Sequence, residues 1–453
     1  MRTVLRNARS LFLRKIPVSS KRLAIGVCLA LLITVVVLQL SPDSDESPFV
    51  GSSFKLNFGA QPIDDCEADL VHISLTDDIS QVAVVWASVS LCQWHVAYGR
   101  TQRELARNVV VSVSNARLTI DNGYGTRFWY RALLTELAPG AAYKYLIARR
   151  NHANKGKTFS FRSMKAGNMW NTRLMLYGDL NLASGILPGV VKEGVKGYDA
   201  VFHVGDIGVP LDGDDGLVGD TFLTTIEPLT ASVPYMVVPG DHETTTRFAH
   251  YRTRFSVPGV PWPMPSDRTW YSVDIGMVHV VAINTEVIGS TRYDDAAAQL
   301  AWLKRDLQSA NANRSYVPWV VVLGHRPFYT NSRQPKLPRD FGAVEALFYR
   351  YNVDLVVQSH AHLYERTWPV YRGRNDGAYS ERRAPVYVTV GSPGYNTGAE
   401  LLTARKPRWS AAVYHDRKAE SFGRLTVLGP RKLLWQQVSP AYTDYPLDEF
   451  TLE

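Results

Sequence analysis

Acid is missing from the start of this chain. Residues 1–22 hold Arg2, Arg6, Arg9, Arg14, Lys15, Lys21 and Arg22, and no Asp or Glu. That tail carries seven of the formal +8 charges of the 453-residue chain, so the remainder is close to neutral at +1. The basic balance therefore describes a tail and gives no sign of a nucleic-acid partner. Cysteine is scarce as well. Of the three cysteines, Cys28 sits in an apolar run, which leaves only Cys66 and Cys92 to form one disulfide or to stand as two core thiols. No P-loop and no internal repeat occurs, which excludes a P-loop nucleotide site and a solenoid.

Long uninterrupted apolar runs are absent with one exception. Residues 23–40, LAIGVCLALLITVVVLQL, contain no charge and nothing polar enough to give a soluble helix an outer face. A membrane span needs roughly 17–25 apolar residues, whereas the core of a cleaved signal peptide is usually about 7–15. The flank QLSPDSDES offers a poor cleavage site. The run is expected to be an uncleaved signal anchor, with cleavage as the rival. The basic tail, 1–22, then stays cytoplasmic, and everything after about residue 41 is lumenal or extracellular. Residues 41–61, rich in Pro, Ser and Asp, have the composition of a stem. Asn313-Arg-Ser is a lone glycosylation sequon.

Two textures follow. Between about 62 and 165, short alternating segments such as QVAVVWASV, FWYRALL and KTFSFRS are separated by turns, which predicts an all-β sandwich with no catalytic cluster. From 172 to about 440, apolar strand-like runs instead end in acid or histidine: RLMLYGD, AVFHVGD, YMVVPGDHE, VHVVAINTE, WVVVLGHRP and DLVVQSHAH. Helical patterns lie at 294–309 and 342–351, so this part is α/β with a buried sheet.

Ligands of open α/β folds bind at the carboxyl ends of strands. Those ends carry Asp179, Asp206, Asp241, His242, His325, His360 and His362. Taken singly, each motif has an ordinary reading: a Gly-Asp turn, or a hydrogen-bonded core histidine. Taken together, three carboxylates and several imidazoles converging on one edge need a cation, since a buried carboxylate without compensation costs several kcal/mol, on the order of the penalty for an unpaired ion. Mixed Asp/His ligation suits Fe, Zn or Mn, and so many ligands suit two metals sharing a carboxylate. Alternating histidines on a strand face opposite ways, so His360 and His362 can serve one site only if the strand has already ended.

The ordered motifs GDLN, GDIG, GDHE, GHRPFY and SHAHLYER resemble the calcineurin-like metallophosphoesterase superfamily, and within it the purple acid phosphatases. FAHYRTRFSVPG, TWYSVDIGMVHVVAINTE and PVYVTVGSPGYNTG extend the likeness over about residues 62–440. The resemblance implies a four-layer sandwich of two mixed sheets flanked by helices, with a C-terminal subdomain from about 385, preceded by a fibronectin type III-like domain. It implies that Asp179 and His362 hold a first metal, that Asp241, His325 and His360 hold a second, and that Asp206 bridges them. His242 and Asp241 would meet the substrate phosphate, and His242 would protonate the leaving group while a metal-bound hydroxide attacks phosphorus. The implied activity is that of an acid phosphatase-like phosphoric monoester hydrolase acting on a small phosphorylated substrate. A catalytically degenerate binding protein, or a phosphodiesterase or pyrophosphatase on the same centre, are the alternatives.

Three positions depart from the family pattern. Val209 stands where the family has a ligand tyrosine, Asp241 where it usually has asparagine, and Asn181 where the first motif usually ends in glycine. One negative charge thus moves from the first metal to the second, which favours a divalent pair over a trivalent iron at the first position. Wider metallophosphoesterases carry a histidine ligand at the position of Asn181, so its amide oxygen is a candidate substitute.

Overall fold

The computed structural model describes residues 66–453 apart from 106–112, 120–125, 151–155, 289, 291–294, 334–340, 395–400, 416–419 and 441–444. The apolar run at 23–40 and the tail before it lie outside the described residues. Among the described residues no helix is long and apolar enough to cross a membrane.

Among the described residues, seven strands build the first layer pair: β1 (Asp69–Leu75), β2 (Val82–Ser88), β3 (Trp94–Gly99), β4 (Val113–Thr119), β5 (Thr126–Leu134), β6 (Ala142–Arg149) and β7 (Gly156–Arg162). They form a four-stranded antiparallel sheet in the order β1-β2-β5-β4 and a three-stranded one in the order β3-β6-β7. Alternation explains the packing. Val82, Val84 and Trp86 point into the core shared with Trp94, Val96, Tyr145 and Ile147 of the other sheet. Cys66 and Cys92 are joined as a disulfide, with their Cα atoms 5.8 Å apart. The sandwich rests on the helix Leu217–Thr230. There Glu227 accepts from Val71 N–H at 3.0 Å, and Asp220 takes Arg127 of β5 at 2.7 Å.

The remainder is built on two mixed sheets. The strands are β8 (Arg173–Tyr177), β9 (Ala200–Val204), β10 (Tyr235–Val238), β11 (Tyr271–Ile275), β12 (Val278–Ala282), β13 (Trp319–Leu323), β14 (Leu355–Gln358), β15 (Tyr364–Thr367), a small β16–β17 ribbon (Val370–Tyr371 and Arg374–Asn375), β18 (Val386–Val390), β19 (Ser410–Tyr414), β20 (Phe422–Gly429), β21 (Lys432–Val438) and β22 (Asp448–Leu452). One sheet runs β10-β9-β8-β20-β21-β22 and the other β11-β12-β13-β14-β18-β15-β19. In each, the strands that lead to the site are parallel: β8, β9 and β10 in the first, β12, β13 and β14 in the second. The C-terminal strands from β18 onward are divided between the two sheets.

Period-two alternation sorts β13 cleanly. Trp319, Val321 and Leu323 enter the core between the sheets, while Val320 and Val322 face the helices Ala296–Ala312 and Phe341–Arg350 through Leu303, Leu307, Val344 and Phe348. Helices Leu187–Gly194 and Leu217–Thr230 cover the other sheet through Val190, Phe222 and Ile226. The result is helix, sheet, sheet, helix. The buried, nearly all-apolar strands VVV and AVFHV are what such doubly covered parallel strands require.

Candidate metal centre

Five of the six expected ligands leave a strand within three residues of its end, and His362 follows His360 two residues later. Asp179 follows β8, Asp206 follows β9, Asp241 follows β10, His325 follows β13, and His360 follows β14. Three of these residues sit in the left-handed region that side chains other than glycine rarely adopt: Asp179 at φ 60°, Asp206 at 55° and His360 at 65°. Such strain persists only where the surroundings enforce it, and it collects at functional sites. The preceding glycines are steric necessities. A Cβ on Gly205 would lie 2.3 Å from His325 Nδ1, and one on Gly240 would lie 2.3 Å from Asp206 Oδ1.

The paired histidines are explained by the same geometry. β14 stops at Gln358, and Ala361 N–H then bonds back to Ser359 C=O at 2.7 Å with His360 at the centre of the three-residue turn. A second such closure, Leu363 N–H to Ala361 C=O, also at 2.7 Å, follows. The chain is no longer a strand there, so the rule of alternating faces does not separate His360 from His362.

Donor atoms of Asp206, Asp241, His325 and His360 all lie within 4.8 Å of one another. His325 Nε2 is 3.0 Å from Asp241 Oδ1 and 3.3 Å from Asp206 Oδ1, and His360 Nδ1 is 2.9 Å from Asp241 Oδ1. On the other side of His325, Nδ1–H is held by the Val204 carbonyl at 3.0 Å, with Ser359 Oγ at 2.9 Å, so the Nε2 lone pair is the one offered to the site. Beside this cluster, His362 Nε2 is 3.5 Å from Asp179 Oδ1. That Asp179 oxygen is buried without a hydrogen-bond partner, while Oδ2 accepts from His360 N–H at 3.0 Å. An orphaned carboxylate oxygen facing an imidazole nitrogen, next to a four-donor cage of Asp and His, fits hard-to-borderline cations such as Fe, Zn or Mn.

The electrostatics agree. Burial works against a charge on His325, yet the carboxylates of Asp206 and Asp241 outweigh it and hold its value well above the ordinary imidazole range. Burial alone would raise Asp241, but hydrogen bonds from His325 and His360 pull it far below the usual carboxylate range; Asp206, likewise raised by burial, is drawn down by His325. The carboxylates that produce this field would equally favour a cation at the same atoms.

His242 is set apart from the cage. Its backbone N–H donates to Asp206 Oδ1 at 3.1 Å, its Nε2 lies 3.8 Å from Asp206 Oδ2, and its side chain is 48% exposed, so it can meet a substrate from solvent. Asn181 forms a closed local turn: its amide oxygen accepts from Ala183 N–H at 2.9 Å and its amide nitrogen donates to Asp179 C=O at 3.0 Å. The oxygen that was a candidate substitute ligand thus accepts one bond from the backbone of Ala183. Val209 offers no donor atom.

Sequence reasoning assigned no role to Glu243, although it closes the quoted GDHE motif. Its carboxylate accepts from Asp206 N–H at 2.9 Å, Ile207 N–H at 2.9 Å and Gly240 N–H at 2.7 Å, and so ties the turns of two candidate ligands together. Burial, and then the Asp206 charge, push its carboxyl up to about 8. The available signal was an acid three residues after a turn glycine, the spacing of a capping box. Arg326 and Glu286 were likewise passed over; they pair at 2.7 Å beside Asp241.

Comparison with known proteins yields a consistent set. The calcineurin-like phosphoesterase family pattern matches residues 174–364, and that of the iron/zinc purple acid phosphatase-like protein C matches 384–449. Acid phosphatase type 7 of Mus musculus is 34% identical over 411 residues, spanning 84% of this chain and 90% of that protein. Acid phosphatase type 7 of Homo sapiens is 35% identical, spanning 71% of this chain and 76% of its own length. Among solved structures, purple acid phosphatase PPD1 from yellow lupin seeds superposes with a TM-score of 0.72 at 20% identity, over 85% of this chain and 74% of that one, which is a likeness of fold.

Proposed function

Because the chain belongs to the purple acid phosphatase-like branch of the calcineurin-like phosphoesterases, we propose that it hydrolyses small phosphate monoesters as a metal-dependent acid phosphatase. The observation that carries this reading is the paired arrangement of one orphaned Asp179 oxygen against His362 and one four-donor cage. In this reading Asp179, Asp206 and His362 hold a first ion. Asp206, Asp241, His325 and His360 would hold a second, Asp206 serving in both sets. Two such ions, when bound, would supply a nucleophile from water near neutral pH and neutralise charge on the phosphoryl oxygens.

The chain's own residues do the rest. Val204 and Ser359 orient His325, and Glu243 fixes the turns that present Asp206 and Asp241. His242, exposed and steered by its bond to Asp206, contacts the phosphate and gives a proton to the departing oxygen. With Val209 at the tyrosine position and a third carboxylate at Asp241, a divalent pair is favoured over mixed-valence iron. The order of the sandwich strands, β1-β2-β5-β4 against β3-β6-β7, supports reading it as a fibronectin type III-like module. The basic tail and the apolar run at 23–40 support a single-pass anchor with the catalytic part lumenal or extracellular, where Asn313, exposed at a helix end, would be open to glycosylation.

The test is turnover of 4-nitrophenyl phosphate across pH by the purified protein, together with elemental analysis. Activity that a chelator abolishes, and that Asp206→Asn lowers more than a change at a single-metal ligand does, is expected. Chelator-resistant turnover, or a harmless Asp206→Asn change, refutes the dinuclear reading. Protease protection of intact vesicles tests the anchor; a soluble mature product beginning near Ser41 refutes it.

A further inference from the structure

Arg326 follows the ligand His325 directly, and its surroundings suit more than structural support. The backbone N–H of Arg326 donates to Thr285 Oγ1 at 2.9 Å, and its Nε donates to Glu286 Oε2 at 2.7 Å. Glu286 is a buried acid, its side chain only 4% exposed, so this ion pair holds the guanidinium plane in place. The outer edge of the guanidinium is differently placed. Nη2 stands 3.6 Å from Asp241 Oδ2, and Nη1 stands 3.4 Å from His360 Nε2, the ring nitrogen turned away from Asp241. Both separations are long for hydrogen bonds, so these Nη groups retain N–H donors for an oxyanion. The side chain is 26% exposed.

Charge gives the edge a purpose. If two divalent ions occupy the site, the three carboxylates Asp179, Asp206 and Asp241 cancel most of their charge and leave about one positive unit to receive a dianion. Relative to a site with asparagine at position 241, this chain has lost attraction for phosphate at the second ion. A guanidinium matches paired phosphate oxygens in geometry and cannot lose its charge.

We propose that Arg326 is a phosphate clamp at the second metal position: Nη1 and Nη2 donate to non-bridging oxygens of a dianionic phosphate monoester, and Arg326 thereby sets a preference for monoesters over monoanionic diesters. This rests on the phosphatase reading above and deepens it. Glu286 is the positioning residue that aims the clamp.

The experiment uses the full-length, metal-loaded protein, Arg326→Gln and Arg326→Lys. Inorganic phosphate binding is measured by calorimetry, kcat and KM are measured for 4-nitrophenyl phosphate and bis(4-nitrophenyl) phosphate, and metal content is checked. A charge-assisted bond of about 1.5–3 kcal/mol predicts that Arg326→Gln weakens phosphate binding roughly 10- to 100-fold, with KM for the monoester rising in parallel. Diester kinetics should change by less than about 3-fold, metal content should hold, and Arg326→Lys should recover part of the loss. Unchanged phosphate affinity in Arg326→Gln overturns the proposal, as does an equal loss for both esters accompanied by loss of metal. If the unaltered protein turned over neither ester, the phosphatase reading would fail, and the calorimetric comparison would still decide the clamp.

Discussion

His279 offers a test of how this fold responds to pH. It lies on β12, with Nδ1 2.6 Å from Asp274 Oδ1 on β11 and Nε2 3.0 Å from Asp306 Oδ2 on the helix Ala296–Ala312. Ser272 Oγ donates to the other Asp306 oxygen at 2.6 Å. Burial alone would lower the imidazole, but the hydrogen bonds to Asp274 and Asp306 outweigh it and raise it to about 9 from 6.5. A group whose folded value is raised lends stability that is complete below its unfolded value and is lost as pH climbs through its folded value. The window here is therefore about pH 6.5 to 9, and acid conditions favour the fold. The full shift corresponds to about 3 kcal/mol. Asp274 is 51% exposed, so solvent screening reduces the expected contribution to about 1–3 kcal/mol. His279→Gln keeps shape and hydrogen-bonding capacity but removes the charge. Urea unfolding should show this variant destabilised by that amount at pH 5.5 and by little at pH 9.5. An equal loss at both pH values would mean that packing, not the charged triad, is the contribution of His279.

Three further outcomes are expected. Glu243→Ala strands three buried backbone N–H groups, each costing about 1–3 kcal/mol, so denaturant midpoint and bound metal should fall together; full metal content by elemental analysis would remove Glu243 from the positioning of Asp206 and Asp241. Cys92→Ser opens a cross-link over 26 residues and should cost about 3–4 kcal/mol on the chain-entropy account, bringing the variant level with reductant-treated wild type; a variant more stable than the reduced protein would contradict that account. Reconstituted with iron, the unmodified protein should be pale, because Val209 has no lone pair to give a phenolate charge-transfer band, and Val209→Tyr with Asp241→Asn should restore visible absorption. A strong tyrosinate band in the unmodified protein would point to another tyrosine as ligand.

Much of the site was readable one strand at a time. A buried parallel strand must be apolar on both faces, so the first charged residue after VVV or AVFHV marks its end, and in this fold class its end is where chemistry is placed. That is why Asp179, Asp206, Asp241, His325, His360 and His362 could be named in order as candidates. The helical periods at 294–309 and 342–351 matched the helices Ala296–Ala312 and Phe341–Arg350 within three residues, since the apolar spacing that defines them is local. The departures at Val209 and Asp241 were also visible, because they concern residue identity and not position.

Other features were not decided by local pattern. Whether Cys66 and Cys92 pair depended on β3 bringing them within 5.8 Å, and neither residue type nor spacing decides that. Asn181 was a candidate ligand by position, and the structure shows its amide bonded to the backbones of Asp179 and Ala183. Glu243 and Arg326 owe their roles to partners across the fold: the Asp206 turn for one, and Glu286 for the other. The sequence by itself determined the candidate ligand types, their order and the elements that carry them, because periodicity and strand-end chemistry act between near neighbours. Only the tertiary structure decided which donors face one another, which oxygen is orphaned and which cation edge stays open, because Coulomb interaction and steric fit act through space between residues as far apart in the chain as Asp179 and His362.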